Sequence, residues 1–205
     1  MGPSLIKPVG KVSLPSSGVV GPATSSALAN SGKSASELTA KNLPSISSVS
    51  YVGAPVNRST PIHLSIPQIG VSTALMQLGL NSDGSVQVPT NIAEAGWYKY
   101  DVTPGQKGSA VILGHVDNYK GPAVFFYLDH LSLGSRVFVT LESGRTLQFA
   151  VIGVRMYSKS NFPDQLVYGP RSYPALQLVT CGGVFDPATG HYLSNIVVFT
   201  ALVKS

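Results

Sequence analysis

From Tyr51 to the end of the chain, short runs of β-branched and aromatic residues alternate with Gly, Pro, Asn and Asp, and this punctuation restricts the fold more than any other feature. His63-Leu64-Ser65-Ile66 alternates and stops at Pro67, while Ala110-Val111-Ile112-Leu113 is a short apolar run stopped by Gly114. Arg136 to Leu141 and Leu147 to Ile152 flank Ser143-Gly144, a hairpin-turn signal. Leu176 to Thr180 and Ile196 to Val203 read as two further strands. Helical signal is thin. Thr73 to Leu78 is expected to make one or two turns, and Ala123 to Leu131 follows Gly121-Pro122, where proline suits a helix start. Six to eight short strands with two short helices predict a mainly β fold, closed or nearly closed into a barrel, rather than βαβ units.

The first fifty residues are of another kind. They hold thirteen serines, no aromatic residue and one acid, Glu37, so they offer little to bury. They read as a flexible Ser/Ala/Pro-rich linker or stalk over 1–50, with a short helix from Ala35 to Leu43 as the alternative, leaving 51–205 as the folded domain. Fourteen basic side chains against nine acidic ones give a net charge of +5, but they are scattered rather than clustered, which argues against a nucleic-acid partner. The longest apolar stretch, near Ile196 to Val203, is far short of the roughly 18 to 20 residues of a membrane helix. One cysteine excludes an internal disulfide, and no His, Asp or Glu pair has the spacing of a zinc or EF-hand site, so neither metal nor cofactor is expected.

Cys181 ends the apolar run Leu178-Val179-Thr180 and precedes Gly182-Gly183, where backbone can approach a ligand closely. By itself it is either a buried small hydrophobe or a reactive thiol. A second apolar strand ends in Gly114-His115-Val116-Asp117, and two such ends could face each other across one rim of a barrel. A histidine there would supply the base or cation that a thiolate needs. Of the other histidines, His63 lies inside an alternating strand, His130 follows Asp129 near a helix end, and His191 follows the turn Asp186-Pro187-Ala188-Thr189-Gly190. Only His191 is close enough in sequence to approach the cysteine. Asp117 is a candidate to orient His115, and Thr180, Gly182, Gly183 and Val184 are candidates to contact a substrate, with Phe185 and the 157–168 loop as possible apolar walls.

These residues carry a family resemblance. Pro61-Ile62-His63-Leu64-Ser65-Ile66-Pro67, Ala95-Gly96-Trp97-Tyr98, Gly114-His115-Val116-Asp117, Gly121-Pro122-Ala123-Val124-Phe125-Phe126 and Leu178-Val179-Thr180-Cys181-Gly182-Gly183-Val184-Phe185-Asp186 follow the order and spacing of a sortase across 61–203. The Cys-Gly-Gly-x-Phe-Asp and His-Val-Asp segments are most similar to class F sortases. The resemblance implies an eight-stranded sortase β-barrel and a cysteine transpeptidase on the outer face of a Gram-positive cytoplasmic membrane. Its partners would be surface proteins with a Leu-Pro-x-Thr-Gly (LPxTG) sorting signal, cut between Thr and Gly, and an amine acceptor such as a peptidoglycan cross-bridge. It assigns the nucleophile to Cys181 and the acid/base to His115. The family's membrane anchor is not in this chain and is expected to precede the 1–50 spacer.

The chain departs from the family in one respect. Sortases carry an arginine after the cysteine loop, and here Tyr192-Leu193-Ser194-Asn195 fills that segment, with no arginine after Cys181. Arg171 and Asn195 are the candidate oxyanion donors, beside backbone amides such as that of Gly182 and, less favoured, Arg155. Gln177, where threonine is common, is expected to affect packing only. Two rivals stand beside the sortase reading: a sortase-like surface module that binds without catalysis, and an L,D-transpeptidase. The latter expects a Ser/Thr-His-Gly-Cys-like segment where this chain has Leu178-Val179-Thr180-Cys181.

Overall fold

The computed structural model describes residues 56–203. Its eight long strands are β1 (Pro61–Ile66), β2 (Val71–Leu78), β3 (Ala95–Tyr98), β4 (Gly108–Gly114), β7 (Arg136–Leu141), β8 (Thr146–Ser158), β9 (Pro174–Asp186) and β10 (His191–Leu202). They close a barrel in the order β1-β2-β3-β4-β9-β10-β8-β7. A small ribbon, β5 (Asp117–Asn118) with β6 (Gly121–Pro122), stands apart from it. The mainly β, eight-stranded closed barrel expected from the sequence is therefore the fold, and it contains one α-helical turn, α1 (Asp164–Val167).

Alternation along the strands makes two apolar layers. Leu64, Ile66, Ala110, Ile112, Val137, Val139, Leu176, Leu178, Ile196 and Val198 fill the barrel interior. Their neighbours Val111, Leu113, Val179, Val197 and Phe199 face outward and form a second buried cluster. That outer cluster is covered by the β8–β9 connection through Phe162, Leu166, Val167, Tyr168 and Tyr173. Ser109 Oγ fastens this cover by donating to the Gly169 carbonyl at 2.8 Å, and Gln177 Nε2 reaches the same hydroxyl at 3.4 Å. Strands β4, β9 and β10 are thus buried on both faces along much of their length, which is why they read as nearly continuous apolar runs.

Two expectations fail. Thr73 to Leu78 is not helical but part of β2, paired antiparallel with β1 and parallel with β3. Its Leu, Met and Gln are good helix formers, but propensity is a small term, and strand pairing with period-2 burial of Val71 and Thr73 overrides it. Ala123 to Leu131 is not a helix either, because its amides are committed elsewhere. Ala123 N donates to the Val116 carbonyl, Val124 N to Ile92 and Phe125 N to His115, leaving only the 3₁₀ turn Leu128–His130. The predicted helix over Ala35 to Leu43 and the linker 1–50 lie outside the described residues.

Beside the outer cluster, burial pushes the Asp101 carboxyl up to about 7, and its Oδ2 has no hydrogen-bond partner among the described residues. Near it, burial first and then the Asp101 charge raise the Tyr98 phenol. Between about pH 4, where a carboxyl in the unfolded chain titrates, and about 7, the native state holds a proton that the unfolded state has lost. Stability therefore falls as pH rises through this window. Asp101→Asn should flatten the dependence of Tm on pH between 5 and 8 and raise Tm at pH 8 by about 2–4 °C, read by calorimetry; an unchanged slope would refute the assignment.

Candidate active site

The barrel order brings the two candidate residues together. Strand β4 pairs in parallel with β9, and the last pair of their ladder is Leu113 with Val179. Two residues further along each strand stand His115 and Cys181. Val179 faces the outer cluster, so Cys181 faces outward too, and the residue is buried with a relative exposure of 7%. Strand β9 does not end at the cysteine, as the sequence suggests, but runs on to Asp186 in a hairpin with β10. The two glycines allow this. Between Tyr192 and Ser194 the ladder slips so that two residues of β9 oppose one of β10. Gly183 takes a φ of 78° at this bulge, a left-handed backbone that glycine adopts without strain.

His115 is held from three sides. A Cβ on Gly114 would lie 2.6 Å from the Phe125 ring, so glycine lets Phe125 pack beneath the histidine's backbone. Phe125 N donates to the His115 carbonyl, and Nε2 of the half-buried imidazole lies 2.7 Å from the Pro89 carbonyl. A carbonyl only accepts, so the ring proton resides on Nε2 and Nδ1 is the nitrogen that can exchange a proton.

The remaining candidates fall into different places. Asp117 does not orient His115; it accepts a hydrogen bond from the Tyr192 hydroxyl, joining β5 to the start of β10. Burial first, then this bond and the Asp117 charge, and last the Cys181 charge, push the Tyr192 phenol up to about 12. The phenol therefore stays a donor through neutral and mildly alkaline pH. Thr180 pairs with Ile196, turns into the barrel and is fully buried, so it does not share the face of the thiol. Gly182 also lies against Ile196, whose Cδ1 would be 2.5 Å from an added Cβ. Val184 is exposed at 70%, and with Phe185, Leu193 and Met156 it makes an apolar rim around the hairpin.

Of the two expected oxyanion donors, one is engaged elsewhere and the other lies beside the cysteine on the next strand. Arg171 Nη2 donates to the Leu166 carbonyl at the end of α1. Asn195 is the cross-strand partner of Cys181, fully buried, and its Oδ1 has no hydrogen-bond partner among the described residues. Arg155 donates to its neighbour's carbonyl and is exposed. The cation at the thiol is one that the sequence did not reveal: Lys159 Nζ lies 3.5 Å from Cys181 Sγ. The register explains its position. Tyr157, Asn195 and Cys181 form one cross-strand row over β8, β10 and β9, and Lys159 follows Tyr157 by two residues. No local motif marks Lys159; only the strand pairing does.

The other histidines stand apart from this row. His63 Nε2 meets Ser72 Oγ at 3.2 Å, and His130 lies 3.9 Å from Asp129. His191 pairs with Asp186 at the hairpin mouth, with its Nδ1 buried and unpartnered among the described residues. No group of three or more His, Cys, Asp or Glu among the described residues could hold a metal, and no helix there is long and apolar enough to cross a membrane.

A barrel with a cysteine on one strand and a histidine at the end of its parallel neighbour agrees with a sequence comparison, in which the Sortase domain profile matches residues 64–203. The chain belongs to the sortase family, whose members are cysteine transpeptidases. Solved sortases share the fold. Sortase A from Corynebacterium diphtheriae, a lid mutant, is 18% identical over 73% of each chain with a TM-score of 0.55. Sortase C1 of Streptococcus agalactiae, in complex with MTSET, is 16% identical over 74% of this chain and 72% of that one, with a TM-score of 0.55. Sortase C-1 from Actinomyces oris is 18% identical over 70% and 72%, with a TM-score of 0.53. No curated protein sequence matches the chain.

The Tyr192–Asp117 bond is the tie between the cysteine hairpin and the loop that carries His115. Tyr192→Phe should lower kcat/KM about tenfold through misplacement of the pair and cost about 1 kcal/mol of stability. Steady-state kinetics beside thermal melts would check this, and full activity would show the tie to be dispensable.

Proposed function

We propose that the chain is a sorting-signal transpeptidase in which Cys181 is the nucleophile and His115 the acid/base. The observation that carries this reading is the parallel β4–β9 ladder, whose last pair, Leu113 with Val179, stands two residues before His115 and Cys181. The Cys181 thiol gives its proton to His115 Nδ1, the thiolate attacks the carbonyl of the Thr–Gly bond of an LPxTG-type signal, a C–S bond forms and the carbonyl electrons move to oxygen. As the tetrahedral species collapses, the C–N bond breaks and the departing glycine amine takes a proton from His115 Nδ1. An incoming amine then attacks the thioester, His115 takes up its proton, and the thiolate leaves. Nε2 keeps its proton on the Pro89 carbonyl throughout, which fixes the ring for both transfers.

The exposed apolar rim of Val184, Phe185, Leu193 and Met156 suits the Leu-Pro part of such a signal. The His-Val-Asp and Cys-Gly-Gly-x-Phe-Asp segments favour a class F-like enzyme. Residues 1–50 serve as the spacer between a membrane anchor and the catalytic domain 51–205, so that the enzyme works at the Gram-positive cell surface and passes its acyl group to a peptidoglycan amine.

Mass spectrometry of the full chain with an LPxTG peptide library and a glycine acceptor tests this directly. A ligated product cut after Thr, absent with Cys181→Ala, is expected. A folded protein that yields no acyl-enzyme, hydrolysis or ligation would favour the binding-module reading.

A further inference from the structure

We infer that Lys159 is the catalytic cation of this site, facing the Cys181 sulfur before attack and the oxyanion during acyl transfer. The inference rests on the transpeptidase reading above. It follows from three observations. Lys159 Nζ lies 3.5 Å from Cys181 Sγ, within donor reach of sulfur. Of the two residues that the sequence offered for the role, Arg171 donates to the Leu166 carbonyl, and Asn195, a buried neutral amide beside Cys181 in the row, brings no charge. Lys159 itself is only half-buried and begins the 3₁₀ turn Lys159–Asn161, whose N-cap Ser158 accepts from Ser160 N. The cation is thus rooted in a capped turn at the end of β8 rather than on a drifting loop.

The chemistry suits an ammonium. When the Cys181 sulfur bonds to the scissile carbonyl carbon, its negative charge passes to an oxygen two bonds away, and an ammonium that reaches the sulfur reaches that oxygen as well. Lysine offers a compact charge with three donors on a flexible stem and can follow the charge from sulfur to oxygen, whereas a guanidinium is a rigid fork. Lys159 supplies charge, and His115 moves the protons. A half-buried site strengthens the interaction relative to open solvent. An arginine after the cysteine is then unnecessary, because the cation enters from β8, two strands away across β10.

Three variants of the full chain test this: Lys159→Met, Lys159→Arg and, as a control for lost charge on the opposite rim, Lys107→Met. Two rates are read, peptide ligation and alkylation of Cys181 by iodoacetamide at pH 7, with circular dichroism confirming the fold. Lys159→Met should lower kcat/KM for ligation at least about 100-fold, the loss typical of one oxyanion donor, and slow alkylation about tenfold through loss of a thiolate partner. Lys159→Arg should recover ligation to within about tenfold, and Lys107→Met should match the parent. If either rate in Lys159→Met stays within about threefold of the parent, the assignment is overturned. Should the parent itself not ligate, the transpeptidase reading fails separately, and the alkylation rates alone decide the Lys159–Cys181 pairing.

Discussion

The parallel pairing of β4 with β9 is the constraint on which the site depends. Residues distant in sequence meet because Gly108 to Leu113 run alongside Pro174 to Val179 in register, and both strands are buried on both faces. A slip of one residue would turn Cys181 into the barrel and make Leu178 and Val179 exchange faces between two layers that are each already packed. The hydrophobic layers therefore fix the register that brings Cys181 to the outer face. The same alternation places Tyr157, Asn195 and Cys181 in one row and delivers Lys159 to its edge.

Around that frame, polar contacts set the chemistry locally. The Pro89 carbonyl selects the His115 tautomer, the Tyr192 hydroxyl ties the hairpin to the loop after His115, and Lys159 brings positive charge to the thiol. Each comes from a segment without a motif of its own, and each is positioned by a turn, a bulge or the end of a strand.

The sequence showed the barrel because turn residues and β-branched runs are local signals, and it singled out Cys181 and His115 as candidates because each follows an apolar strand and a family pattern surrounds them. It misassigned Thr73 to Leu78 and Ala123 to Leu131, where pairing and non-local amide bonds outweigh helical preference. It placed Asp117 next to His115 by proximity in sequence, whereas the carboxylate is taken by Tyr192, 75 residues away. It offered Thr180 as a substrate contact because it adjoins Cys181, although adjacent residues of a strand face opposite ways and Thr180 turns into the barrel. Lys159 was invisible for the same reason that Arg171 looked attractive: sequence shows which cations are near a cysteine along the chain, and only strand order shows which are near it in space.

The most direct measurement is the rate at which the full chain forms a thioester with an LPxTG peptide in the absence of acceptor, read by intact mass and peptide mapping in the parent and in His115→Ala. The account predicts an acyl adduct on Cys181 in the parent and at least about a 100-fold slower appearance of it without the imidazole. An adduct on another residue, or equal rates in the two proteins, would contradict the pairing of His115 with Cys181 on which the account is built.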